Sequence, residues 1–330
     1  MAKKSKRGSG PRPGSDRAER MAARKERQLA AMAPPPRPFA GLAAECDLVA
    51  LRSFVASATA ELALTEPGAQ KPELTSVVAS DEVPEKAPER PAGVRNDVLV
   101  ATVLPGAVPA LVRDNPRVGP EGFVALQTDP EPADLAGSIA DAIDWAGHAA
   151  SGADYRPAGT EQTLVEILDA DAQLDITVYE DFSWWFPEGT EVPARIAEGL
   201  QRANDTIMPT ARLTPKSGIG APWWVDAGER AHLRWVRPEP EDELMNALAR
   251  LHAAGHLTLG EGSRFAGSFR THGVLVPVFD LDNERHHEEW YNGLDEFDAW
   301  LTEALAAEGD LTAAEISSRD GIRGRQVTLR

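Results

Sequence analysis

The stretch RAHLRWVRPEPEDELMNALARLHAAGHLTLGEGSRFAGSFRTHGVLVPVF, residues 230–279, decides the fold. It reads as a strand over 230–236, a helix over 240–254 and a hairpin pairing 257–260 with 264–279. Pro238, Glu239, Pro240, Glu241, Asp242 and Glu243 suit the start of that helix, because Pro fits the first turn and acids fit the positive end of the dipole. Leu244, Leu248 and Leu251 give its apolar stripe, and Gly255 ends it as the residue after the C-cap. Strand, helix and hairpin in that order are not the alternation of a doubly wound parallel sheet.

Working outward gives the same picture. Residues 98–104 and 122–127 read as strands. A helix follows over 132–148, with Asp129, Glu131 and Asp134 at its start and Leu135, Ile139, Ala142, Ile143 and Ala146 along one face. Residues 173–180 read as a strand, 191–204 as a helix, 286–307 as helical and 46–56 as a short helix. The expected fold class is α+β, with mixed, mostly antiparallel sheets and packed helices, preceded by a disordered basic arm.

That arm is the strongest compositional feature. Residues 1–38 hold eleven Lys and Arg against three acids, a net of +8, so the chain total of −18 leaves −26 on residues 39–330. Four of the seven lysines lie in the arm, where an even spread would put about one. Arg17 to Met32 are good helix formers, but too few are apolar to pack a face. Pro34-Pro35-Pro36 makes a stiff boundary. The organisation read from this is an arm at 1–38 and an acidic body at 39–330, the latter one unit or two lobes, 39–160 and 161–330. Residues 66–96, with five prolines, read as a loop or linker containing a candidate edge strand at 74–79.

Cys46 is the sole cysteine, so no disulfide forms within the chain, which fits a reducing compartment. The basic start is not followed by an apolar signal region, and no run approaches the ~20 apolar residues of a membrane span. The expected location is cytoplasmic.

The densest cluster of ligand-type side chains runs from Asp280 to Glu289. Asp280 and Asp282 point the same way at a strand end, and with His286 they could hold Mg, Mn or Zn. With Gly267-Ser268 upstream, the pattern resembles that of the nucleotidyltransferase superfamily, in which two carboxylates hold the metals that activate a triphosphate. Here the strand ends at the Asp pair and no third carboxylate strand is evident. The plainer reading is a polar turn that caps a helix. His252 and His256 have the i, i+4 interval of metal helices, but Gly255 ends the helix between them. Lys216-Ser217-Gly218-Ile219-Gly220 lacks the order of a phosphate-binding Walker loop, and a flexible loop is expected. No dinucleotide fingerprint or nucleophile elbow is present, and no cofactor is expected.

Tryptophan pairs at 184–185 and 223–224 suggest one core ring and one partly exposed ring each, with exposed members as anchors for a protein partner; core packing is the plainer reading for most of the eight. Arg264, Arg270 and His272 would share one face of a regular strand, where they could hold an anion or pair with acids.

Three segments taken together, Met1 to Arg7, Asn204 to Arg212 and Ser268 to Asp280, resemble an actinobacterial family of unknown function with a basic N-terminal tail. The resemblance covers most of the chain and carries no catalytic residues with it. The expected function is therefore binding. Lys3, Lys4, Lys6, Arg7, Arg12, Arg17, Arg20, Arg24, Lys25 and Arg27 would contact a polyanion such as RNA, the ribosome or DNA, without sequence preference. Docking of the arm on the chain's own acidic body is a second use for it. The alternative class is a metal-dependent enzyme, nucleotidyltransferase-like or a hydrolase, built on Asp280, Asp282 and His286.

Overall fold

The computed structural model describes residues 37–65, 95–115, 119–187 and 192–328. Residues 1–36 of the arm and the candidate strand at 74–79 lie outside these residues. The described secondary structure is α1 (Glu45–Ser53), β1 (Ala58–Glu61), β2 (Asp97–Val103), β3 (Ala110–Asn115), β4 (Gly119–Gln127), α2 (Leu135–His148), α3 (Leu164–Ile167) and β5 (Ile176–Val178). It continues through α4 (Ala194–Asn204), β6 (Thr210–Arg212), β7 (Ala221–Asp226), β8 (Ala231–Val236), α5 (Glu241–Ala254), β9 (Ser263–Thr271), β10 (Val274–Leu281), α6 (Tyr291–Ala306), α7 (Ala313–Arg323) and β11 (Val327–Thr328).

Two sheets organise it. The first has strand order β3-β4-β2-β1-β5 and the second β11-β9-β10-β8-β7-β6. All neighbours are antiparallel except β2 with β4 and β11 with β9. The α+β reading therefore stands. Arg37–Arg330 form one compact unit. The first sheet runs past residue 160, because β5 closes its edge beside β1. A break at 160 thus does not separate the sheets.

Helix α1 lies between the two sheets, touching β2 and β4 of the first and β7 and β8 of the second. Every residue from Glu45 to Leu51 is buried. One shared core holds Leu48, Val49 and Leu51 of α1, Val98, Val100, Val124 and Leu126 of the first sheet, and Trp223, Val236 and Val276 of the second. On its far face the second sheet packs on α5, α6 and α7 through Leu244, Leu248, Leu294, Phe297, Leu301 and Ile322. Helix α2 covers the first sheet on the α1 side and begins at Leu135, later than the sequence reading, because Asp134 accepts from the Gly137 amide (3.0 Å) and sets the cap.

The hairpin is β9 with β10, so 257–260 is not one of its strands. A bulge between the Val278 and Phe279 registers breaks its alternation. Phe265 consequently packs under the outer helices, whereas Phe269, four residues on, packs in the core between the sheets. Arg264 and Arg270 are therefore on opposite faces, and His272 leaves the strand for the turn. Its φ of +45° and that of Gly273 at +75° make a turn with two left-handed residues.

Two predictions test this packing. A Cβ on Gly293 of α6 would overlap the Leu259 carbonyl oxygen, whereas one on Gly321 of α7 meets nothing within 4 Å. Gly293→Ala should cost about 1–3 kcal/mol by overpacking, and Gly321→Ala should add about 0.5–1 kcal/mol through helix propensity, read by urea unfolding. Burial, and then the Arg52 guanidinium, hold the His272 imidazole below its ordinary 6.5, with Glu131 opposing. A lowered imidazole value means that its contribution is complete above pH 6.5 and is lost as pH falls below it toward the folded-state value. His272→Asn keeps a residue that tolerates positive φ. It should flatten the fall in melting temperature below pH 6.5; an unchanged fall would remove His272 from the cause.

Candidate functional site

The sequence points to the ends of β8, β9 and β10. Antiparallel register places His232 and Arg264 on either side of Asp280. Arg264 Nη2 donates to Asp280 Oδ2 at 2.6 Å, Arg230 Nη1 to the same oxygen at 3.3 Å, and His232 Nδ1 stands 3.2 Å from Oδ1. Asp280 and Asp282 both line an open hollow of about 400 Å³, together with Glu229, Arg230, Arg264 and Asn283. His286 is not among its lining residues. Asp282 Oδ1 instead accepts from the Glu284 amide at 3.0 Å and closes the turn after β10.

This arrangement does not suit a catalytic divalent cation. Both Asp280 oxygens already face cationic or imidazole partners, and a metal there would sit against two guanidinium groups. Asp280 and Asp282 share a face, as their spacing requires, but the first is engaged in ion pairs and the second holds a turn.

The loop Lys216-Ser217-Gly218-Ile219-Gly220 departs most from expectation. It is pinned rather than loose. Asp295 and Asp298, one helical turn apart on α6, reach it together. The Lys216 amide donates to Asp295 Oδ1 (3.0 Å), the Ser217 amide to Asp298 Oδ2 (3.0 Å) and Ser217 Oγ to Asp298 Oδ1 (2.9 Å). From the other side, Arg237 Nη1 and Trp235 Nε1 both donate to Ile219 O at 3.2 Å, and Arg212 Nη2 donates to Gly220 O at 3.1 Å. Successive amides of such a loop can cradle an anion. Here the anions are the chain's own carboxylates, so a phosphate would have to displace them.

Arg237 is fully buried (0% exposed). It forks onto Glu239, with Nε to Oε2 at 3.0 Å and Nη2 on Oε1, lies 3.8 Å from Asp298 Oδ1, and its guanidinium carbon is 5.0 Å from the Trp235 ring centroid. Two further forked pairs flank α1. Arg37 donates to Glu45 at 2.9 and 2.7 Å and to Pro238 O at 3.1 Å, and Arg212 donates to Asp47 at 2.7 and 3.2 Å. Arg37, counted with the arm on composition, is thus part of the folded unit. Burial first, and then Glu45 and Asp47, push the Cys46 thiol up to about 12, so it is no nucleophile near neutral pH.

The remaining candidates separate. His252 Nδ1 lies 3.0 Å from Ser318 Oγ, while His256 stacks on Trp300 with centroids 4.3 Å apart. Gly255, at φ +78°, ends the helix between them. Arg270 pairs with Glu241, with Nε to Oε2 at 2.6 Å, on the face opposite Arg264. None of the eight tryptophans is fully exposed: Trp145, Trp184, Trp185 and Trp300 are half-buried and the other four are buried. Trp223 and Trp224 do face opposite ways, but both faces of their sheet are covered. Trp184 donates to Ser57 Oγ (2.8 Å) and Trp185 to the Val103 carbonyl (3.0 Å), half-buried beside the first sheet. The ten arm residues proposed to meet a polyanion lie outside the described residues.

Asp298→Ala removes two acceptors from the Ser217 group and a carboxylate from beside buried Arg237. It should destabilise the chain by about 3–5 kcal/mol in urea unfolding, against less than about 1 kcal/mol for Glu308→Ala at an exposed position. Similar values for the two would show that the loop is not pinned as described.

No curated protein and no solved structure matches this chain. The chain belongs to the Family of unknown function (DUF5926), whose family model matches residues 38–330.

Proposed function

We propose that this chain works by binding, with its basic arm attaching an acidic folded body to a polyanion such as RNA, the ribosome or DNA. The observation that carries this reading is the charge split. Taking Arg37 into the folded unit leaves ten basic residues against three acids in residues 1–36. Lysine is concentrated there and scarce elsewhere. Such a segment releases counterions from a phosphate backbone, and its affinity depends steeply on salt but not on sequence.

The folded unit lends indirect support. Asp280 is held by cations, the 216–220 amides are engaged by Asp295 and Asp298, and Cys46 is buried. The enzyme alternative built on Asp280, Asp282 and His286 needs that first carboxylate free. The reading places the chain in the cytoplasm, where a single buried thiol stays reduced. Among the described residues no helix is long and apolar enough to cross a membrane.

The test compares the full chain with a chain starting at Arg37 for retention on immobilised RNA. The full chain should be retained at about 50 mM salt and lose affinity by roughly a thousandfold or more by 200 mM, given six or more phosphate contacts. The shortened chain should not be retained. Equal retention of both at both salts would overturn the reading and leave the arm without this role.

A further inference from the structure

One group of metal-ligating side chains is not used by the ion pairs around Asp280. His286, His287 and Glu288 follow the turn after β10, at the start of a short 3-10 turn (His287–Trp290) that leads into α6. The imidazole centroids are 4.0 Å apart, with planes tilted by 48°. His286 Nδ1 is 3.7 Å from Glu288 Oε2, and one donor atom from each of the three residues lies within 4.8 Å of the others. Two imidazoles and a carboxylate on one ion stand about 3 Å apart, given metal–ligand distances of about 2.0–2.2 Å. Small rotations of exposed side chains cover the difference, since His286 and Glu288 are 61% and 75% exposed. We propose that His286, His287 and Glu288 form a surface site for a borderline divalent transition metal such as Zn²⁺, Ni²⁺ or Cu²⁺, with water completing the coordination.

The surroundings favour this choice of ions. Two nitrogen donors and one oxygen select against Mg²⁺ and Ca²⁺, which prefer all-oxygen sets. The adjacent cation is turned away: Arg285 donates to the Glu261 carbonyl at 2.9 Å and lies over the Trp290 ring at 5.3 Å. Glu289 does not compete as a ligand, because its Oε1 accepts from the His286 amide at 2.9 Å. The Glu289 amide donates to the His286 backbone carbonyl at 3.0 Å, so backbone atoms hold this turn. The site is therefore open and exchangeable, unlike a closed four-ligand structural zinc.

Trp224 provides a local reporter, with its ring 5.7 Å from that of His287. Titration of the full chain with ZnCl₂ by calorimetry should show one saturable site. His287→Ala and Glu288→Gln should each weaken it at least about tenfold, since even changes beyond the ligands cost 10–100-fold. Cu²⁺ should quench a fluorescence component that is absent from Trp224→Phe. The control His252→Ala/His256→Ala should bind Zn²⁺ as the full chain does. Equal Zn²⁺ affinity in His286→Ala/His287→Ala, with its melting temperature unchanged, would overturn the site and assign the ion to the acidic surface. So would the lack of any saturable binding.

Discussion

Everything in the folded unit depends on keeping a few charges dry and paired. Arg237 has no access to water, and an unpaired guanidinium in that position would cost several kcal/mol. It is accommodated because β8 delivers it beside Glu239, Asp298, the Trp235 ring and the Ile219 carbonyl. Helix α1 presents the same problem in reverse. Glu45 and Asp47 are carried into the space between two sheets, and each is met by a forked arginine from elsewhere in the chain. Those arginines come from residue 37 and residue 212, so the pairs bring distant segments to one place. The apolar core sets the layers, and the ion pairs set which segment lies against which.

The same pairing explains why the folded unit offers so little open chemistry. Asp295 and Asp298 occupy loop amides that could otherwise receive a phosphate. Arg230, Arg264 and His232 surround Asp280. An acidic chain with relatively few cations places many of them where they neutralise carboxylates near or within the core. What remains outward among the described residues is a negative surface and the His-His-Glu corner. On the proposals made above, recognition would fall to the arm and, separately, ion binding to the corner.

Much of the fold was legible in the sequence, and the misses have definite causes. Helix α5 was readable from Pro240 and its acids at one end and Gly255 at the other, because both signals are local. Helix α7 was missed although Thr312 and Glu315 form a capping box, with the Thr312 amide donating to Glu315 at 2.7 Å. Its apolar stripe is thin, since Ile322 is its one buried residue. The Arg264–Arg270 face was misread because a bulge beside Gly267 (φ +150°) reverses the alternation, and the glycine inside the strand was not read as its signal. One ring of the Trp223-Trp224 pair was expected to be partly exposed because one covered face was assumed, whereas the second sheet has helices on one side and α1 on the other. The 216–220 loop was misread for a similar reason. Gly and Pro signal a turn, but the carboxylates that fasten it lie some eighty residues further on.

The central claim is that this exposed loop is fastened by Asp295 and Asp298 to the ionic frame rather than open as a ligand cradle. Native-state hydrogen exchange at the Lys216 and Ser217 amides measures that most directly. Both should exchange as slowly as the amides in the middle of α6, with no change when nucleotide is added. Rapid exchange without ligand, slowed by a nucleotide, would contradict the account.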